Sequence, residues 1–334
     1  MADTSLRRAA AIGCGVIGAG WIARFRLNGI DVRAFDPSPD ARRVVDAVHD
    51  NALLSWSELD LEPAPESIGT LTMCTSVDDA VADAQLVVES VPERLDVKHV
   101  TLAAIDNTAP PEATIASSTS GFRPTVLAEP LQRPERLIVG HPFNPVYLLP
   151  LVEVVAGQRT DGSVVERAGE WYRSLGMHPL LVRTEIDAHI ADRLMEAVWR
   201  EALWLVHDGI ATTEEIDDAI RYGFGLRWAQ MGLFETYRVA GGEGGMRHFI
   251  SQFGECLTWP WTKLMDVPDL DDELIDTIAT QSDAQSGHLD VRELERIRDR
   301  NVAAMMLALE RNGWGAGTTV AALRELRGRP APQR

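Results

Sequence analysis

The sequence predicts an α/β chain: a mostly parallel, helix-covered sheet followed by an all-α region. Three observations carry this. Short apolar runs alternate with helical patterns from about residue 8 to residue 183. The first run ends in the glycine-rich segment Gly13-Cys14-Gly15-Val16-Ile17-Gly18. From about Asp187 onward strand signals all but vanish. At roughly 150 residues per domain, 334 residues suggest two domains. The change of class places the boundary near residue 185, giving a nucleotide-binding region over 1–185 and a helical region over 186–334.

Residues 8–12 (RAAAI) read as a buried strand. A helix is expected from Cys14 to Asn28, stopped by Gly29, and a second strand over 30–35. Residues 40–55 read as a helix, 71–74 and 85–91 as strands, and 94–106 as a helix. Residues 114–119 read as a strand and 124–130 as a short helix. Two more strands, 136–140 and 151–157, flank a proline-containing loop. Residues 163–176 read as a helix and 179–183 as a last strand. Such alternation argues for βαβ units. Beyond Asp187, Ile190, Leu194, Val198 and Leu205 share one helical face, with Gly209 as a stop. Thr212 and Glu215 fit a capping box. Residues 289–312 read as a long amphipathic helix closed by Gly313, and RGRPAPQR (327–334) as a loose tail.

Composition excludes several classes. Hydrophobic residues are 45% and charged residues 25%, which is ordinary globular usage. No run approaches the 18 or so apolar residues of a membrane-spanning helix. The net charge is −18, and the only lysines are Lys98 and Lys263. A surface so acidic disfavours nucleic acid and anionic membranes, and would favour a cationic substrate. Cys14, Cys74 and Cys256 form neither a disulfide framework nor a zinc pattern. With no apolar signal core in MADTSLRR, a reduced, cytoplasmic, metal-free protein is expected.

The glycine segment fits G-x-G-x-x-G, follows a strand and opens a helix, and Asp36 ends the second strand. In that setting the motif predicts a Rossmann-like dinucleotide site. Gly13 permits the turn, Gly15 lets a pyrophosphate approach, and Gly18 lets the helix pack on the strand. Asp36 can accept ribose hydroxyls and would repel a 2′-phosphate, so NAD is expected rather than NADP.

Glu153 lies inside the apolar run LVEVV, where a charge is costly unless paired. His141 follows RLIVG. If the two strands are neighbours, these residues can meet as a histidine general base steadied by a carboxylate.

The residues so far, together with VVESVPERLDVK (87–98), SSTSG (117–121) and GHPFNP (140–145), resemble the short-chain L-3-hydroxyacyl-CoA dehydrogenases from about residue 9 to 250. The resemblance implies a helical C-terminal domain that makes a homodimer, and a catalytic His141–Glu153 pair with Ser120 near the substrate hydroxyl. It also implies a cofactor-side acid at Glu93 and a lysine near the nicotinamide end at Lys98, which otherwise reads as a solvated helix lysine. Two departures bear on the substrate. Asp192 stands where the family places a substrate-facing asparagine. Residues 221–263 are unusually aromatic, and six of the nine tryptophans fall in the C-terminal region. A quaternary ammonium is held over aromatic faces beside a carboxylate. Asp192, Trp228, Phe143, Tyr147, Phe224 and Trp199 are therefore the candidate set for a small cationic 3-hydroxy acid. Arg193, Arg221 and Arg227 are candidates for its carboxylate. The other readings are a true acyl-CoA dehydrogenase, a gulonate-type sugar-acid dehydrogenase and a catalytically silent NAD-binding protein.

Overall fold

The computed structural model describes residues 5–240, 243, 245–253, 271–274, 276, 277, 280, 281, 288 and 291–328. Two compact units result, Met1–Asp192 with Arg296–Arg334, and Arg193–Glu295.

The first unit is built on β1 (Arg8–Ile12), α1 (Val16–Leu27), β2 (Asp31–Phe35), α2 (Ala41–Glu58), β3 (Leu71–Met73), α3 (Val77–Val81), β4 (Leu86–Glu89), α4 (Leu95–Thr108), β5 (Thr114–Ser117), α5 (Pro124–Leu127), β6 (Leu137–Pro142), β7 (Leu151–Ala156), α6 (Gly162–Ser174) and β8 (His178–Val182). The eight strands form one sheet in the order β3-β2-β1-β4-β5-β6-β7-β8. Only the β6–β7 pair is antiparallel. The segment 143–150 between those strands is too short for a parallel crossover, which takes about a dozen residues or more, so the chain turns back. β1 lies between β2 and β4, a switch point that opens a crevice at the carboxyl ends of the strands.

Strands covered on both faces read as continuous apolar runs, and Ala9–Ile12 and Leu86–Val88 are accordingly buried. One face packs Trp21, Phe25, Trp56 and Tyr172, and the other packs Leu102, Ile105 and Leu127. Gly29, at φ 76°, ends α1 as expected.

α7 (Ala191–His207) carries the chain into the second unit, followed by α8 (Thr213–Ala219), α9 (Gly225–Ala240) and α10 (Gly245–Phe253). The capping box forms: the Thr212 hydroxyl accepts from the Glu215 N–H while Glu215 accepts from the Thr212 N–H. A π-helical turn spans Ile220–Phe224, and α9 breaks at Gly232, where φ is 69°. Only glycine adopts such a break without a steric cost.

The chain ends in α11 (Val291–Arg311), closed by Gly313 at φ 62°, and α12 (Gly317–Leu326). Here the structure differs from a single helical region over 186–334. Ala303, Met306, Val320 and Leu323 join the core of the sheet unit, and the buried Arg324 binds Glu310 and the Leu59 carbonyl. Amphipathicity announces a buried face but not what covers it. Among the described residues, no helix is long and apolar enough to cross a membrane. WPWTKL, Lys263, Cys256 and residues 329–334 lie outside the described residues.

Candidate active site

Gly13 adopts φ 92°, and its N–H donates to the Phe35 carbonyl. A Cβ on Gly13 would fall 2.6 Å from the Ser90 oxygen, and one on Gly18 would fall 1.8 Å from the Gly13 oxygen. Both glycines are required by close backbone approach. Gly15 differs: a Cβ there would meet nothing within 4 Å. That open side lies at the start of α1, where no side chain caps the helix. Free N–H groups and an open cradle fit a pyrophosphate. Asp36 accepts from the Cys14 N–H at 2.7 Å and the Ser38 N–H at 2.8 Å, which fixes its carboxylate beside the loop. Two such bonds leave lone pairs for ribose hydroxyls. Burial, with Asp36 next to it, pushes the Cys14 thiol up to about 12, so it stays a thiol.

The antiparallel register sets His141 directly opposite Glu153. His141 Nδ1 lies 2.9 Å from Glu153 Oε2, and both side chains are buried. A carboxylate accepts, so Nδ1 carries the proton and Nε2 presents a lone pair. Glu153 Oε1 accepts from the N–H groups of Ile190 at 2.9 Å and Ala191 at 3.1 Å. Burial raises the Glu153 pKa, but the bonds from His141, Ile190 and Ala191 outweigh it and hold the carboxyl below the usual glutamate range. The Phe143 ring meets the His141 ring edge-on at 4.9 Å. Asp192 Oδ2 lies 3.8 Å from His141 Nε2, the ring nitrogen that faces away from Glu153.

Lys98 is not a solvated helix lysine. It is 1% exposed, and Nζ lies 2.9 Å from Glu89 Oε1 and 3.3 Å from both the Val91 carbonyl and Glu93 Oε2. Two hydrogen bonds and an ion pair hold its ammonium inside the sheet unit. Glu93 Oε1 accepts from the Thr119 hydroxyl and, at 3.1 Å, from the Gly121 N–H. It thus grips both sides of Ser120, which is half-buried.

Tyr147 also departs from expectation. It is buried in the sheet unit's core and its hydroxyl donates to Asp299. Trp199, Phe224 and Trp228 belong to the second unit. There Phe224 and Trp228 pack with centroids 4.5 Å apart, Trp199 is exposed, and Arg221 pairs with Asp218 at 2.6 Å.

Two residues escaped the sequence reading. Glu89, fully buried, accepts from Lys98, Ser117 and the Val91 N–H. A charge inside the apolar run 85–91 was its signal, the same as for Glu153. His189 is fully buried, its ring 5.5 Å from that of His141. Ala188 and His189 adopt φ 60° and 49°. Such left-handed backbone costs about 1 kcal/mol or more per residue.

A switch-point crevice with a phosphate cradle, an acidic strand end and a buried histidine–carboxylate pair defines the class of NAD-dependent dehydrogenases. The comparisons with known proteins place the chain within it. The NAD binding domain model of 3-hydroxyacyl-CoA dehydrogenase matches residues 8–186, and the C-terminal domain model of the same family matches 189–271. The chain belongs to the 3-hydroxyacyl-CoA dehydrogenase family. It is 62% identical to the L-carnitine dehydrogenase/betainyl-CoA thioesterase of Agrobacterium fabrum over 94% of its own length, and spans 64% of that protein. It is 58% identical to the L-carnitine dehydrogenase of Mesorhizobium japonicum, covering 93% of this chain and 87% of that one. Among solved structures it resembles 5-formyl-3-hydroxy-2-methylpyridine 4-carboxylic acid 5-dehydrogenase, an NAD+-dependent dismutase. That likeness has a TM-score of 0.74 at 27% identity, over 97% of this chain and 100% of the other.

Proposed function

We propose that the chain oxidises the 3-hydroxyl of L-carnitine to 3-dehydrocarnitine, with NAD+ as oxidant. The observation that carries this reading is the carboxylate of Asp192 beside His141 Nε2. Carnitine holds its hydroxyl on C3 and its trimethylammonium on C4. A hydroxyl seated on His141 Nε2 therefore brings a cation next to Asp192, where opposite charges attract strongly in a partly desolvated site. An acyl-CoA thioester brings no cation to that place, and its polyanionic carrier meets a net charge of −18. The curated relatives support the same substrate.

NAD+, when bound, supplies the hydride acceptor. The hydroxyl of Ser120 contacts the substrate oxygen. Neutral His141 takes the hydroxyl proton at Nε2 as the C3 hydride departs. Its Nδ1–H stays on Glu153, whose charge stabilises the imidazolium. Phe143 walls the base, and Trp228, Phe224 and Trp199 offer faces for the trimethylammonium. The free thiols Cys14 and Cys74 suit a cytoplasmic setting. The second unit leaves Leu194, Met195, Leu226 and Phe234 exposed, and a second copy of the chain would cover them in a homodimer.

The test is NADH formation from NAD+ at mildly alkaline pH with L-carnitine, 3-hydroxybutyryl-CoA or gulonate. Turnover with carnitine alone supports the reading. Turnover with the thioester or the sugar acid alone overturns it.

A further inference from the structure

Ser120 sits in a loop gripped from two sides. Glu93 holds one side, through the Thr119 hydroxyl and the Gly121 N–H. The other side is held by the segment that leads into α7. Its Ala188 N–H donates to the Gly121 carbonyl at 3.0 Å. His189 Nε2 lies 3.2 Å from the Thr119 carbonyl. The next two residues, Ile190 and Ala191, give their N–H groups to Glu153. Four consecutive residues therefore touch both the loop of Ser120 and the carboxylate that steadies His141. The left-handed backbone at Ala188 and His189 aims successive groups in these two directions.

The chemistry of the His189 bond is fixed by its partner. A carbonyl only accepts, so Nε2 carries the proton and Nδ1 is a lone pair. Burial pushes the imidazole below its usual pKa, against a smaller opposing effect of the Thr119 carbonyl, which keeps the ring neutral. Nδ1 is buried and has no hydrogen-bond partner among the described residues. A polar ring with one nitrogen unpaired, in a costly backbone conformation, is a poor choice for packing alone. Its single donor bond, to the residue before Ser120, is what the ring supplies.

We propose that His189 is a positioning residue: through the Thr119 carbonyl it sets the place of the Ser120 hydroxyl relative to the His141–Glu153 pair. The inference rests on the reading of Ser120 as the group that contacts the substrate oxygen. Displacing that hydroxyl lowers the rate of the chemical step and leaves the nucleotide site unchanged, because His189 touches neither the glycine loop nor Asp36.

The experiment compares His189→Gln with His189→Asn in the full chain, each also in a Ser120→Ala background. A glutamine amide reaches the place of Nε2, whereas an asparagine amide reaches only that of Nδ1. Backbone preference runs the other way, since asparagine accepts positive φ more readily than glutamine. A merely structural role therefore makes asparagine the better replacement, and the positioning role makes glutamine the better one. With L-carnitine and NAD+, His189→Asn should lower kcat on the order of 10-fold to 100-fold. His189→Gln should stay within about threefold of the parent, and NADH affinity within about twofold in both. In the Ser120→Ala background, His189→Asn should cost less than about twofold further, because the group it positions is gone. Equal losses in the two variants, a faster asparagine variant, or full additivity with Ser120→Ala overturns the inference. If Ser120→Ala alone turns over like the parent, the role of Ser120 fails and the inference with it. If Ser120→Ala is slow and His189→Asn is not, only the inference fails.

Discussion

In the unit built on the sheet, charged groups are buried and bonded. Glu89, Lys98 and Glu153 are essentially fully buried, and each has named partners within hydrogen-bond distance. The unit Arg193–Glu295 is the reverse. Its large apolar side chains Leu194, Trp199, Tyr222, Leu226 and Phe234 stand exposed, at 56–80% of their full area. The first arrangement suits chemistry, because buried, hydrogen-bonded groups pay their reorganisation on folding and not during reaction. The second suits recognition, because aromatic faces bind cations and apolar surfaces. Asp192 is the last residue of the sheet unit before the helical one begins.

The largest effect should come from the fixed side. His141→Ala removes the proton acceptor and should lower kcat on the order of 10²–10⁴-fold. NADH binding, followed by fluorescence titration, should be unchanged, because the glycine cradle and Asp36 are untouched. Turnover near that of the parent would remove His141 from the mechanism and dissolve the contrast. The pH dependence that follows has a definite sign: Glu153 is held below the usual glutamate range, so the carboxylate beside His141 stays charged through that range and its contribution to turnover should be lost only at still lower pH, as a pH profile of kcat would show.

Intermediate effects should come from recognition. Asp192→Asn should raise KM for L-carnitine on the order of 10-fold to 100-fold, as loss of a charge-assisted contact of about 1.5–3 kcal/mol implies. Trp228→Ala should raise it about 2-fold to 30-fold, matching the span of a cation–π contact. Neither should shift KM for NAD+ comparably. Steady-state kinetics with both substrates varied would decide. Equal effects on carnitine and NAD+ would mean that these residues support the fold and do not read the substrate.

The same contrast governs what the sequence discloses. The βαβ order, the cradle and the His141–Glu153 pair are legible because each leaves a local mark. Those marks are period, glycine spacing and a carboxylate in an apolar run. Glu89 left that last mark too, although a carboxylate in an apolar run shows only that it needs a partner and not which residue supplies it. The positions of Lys98 and Tyr147 are not legible, since a helix or loop residue shows no sign of which neighbour will cover it. His189 gains its meaning only from the Thr119 carbonyl, 70 residues away in sequence. The return of α11 and α12 to the sheet unit is hidden for the same reason. The aromatic faces of the second unit are visible as composition, but composition carries no direction.

The smallest effect tests whether the second unit holds its recognition surface by local devices. Each unit has a side-chain cap of the same design. In the helical unit Thr212 accepts from the Glu215 N–H at 3.2 Å, and in the sheet unit Ser76 accepts from the Asp79 N–H at 3.1 Å. Removing such a cap costs about 1 kcal/mol. α3 packs its Ala80 and Val81 into a continuous core, whereas α8 has no buried residue. Thr212→Ala should therefore loosen α8 by nearly the whole value of the cap, speeding its amide hydrogen exchange about fivefold. Ser76→Ala should leave the exchange of α3 almost unchanged, because packing holds that helix when the cap is gone. KM for L-carnitine should rise only in Thr212→Ala, since α8 leads directly into the turn that carries Phe224. Equal exchange effects in the two helices would show that α8 is held as firmly as the sheet unit. The exposed faces around it would then belong to a rigid surface and not to an adaptable one.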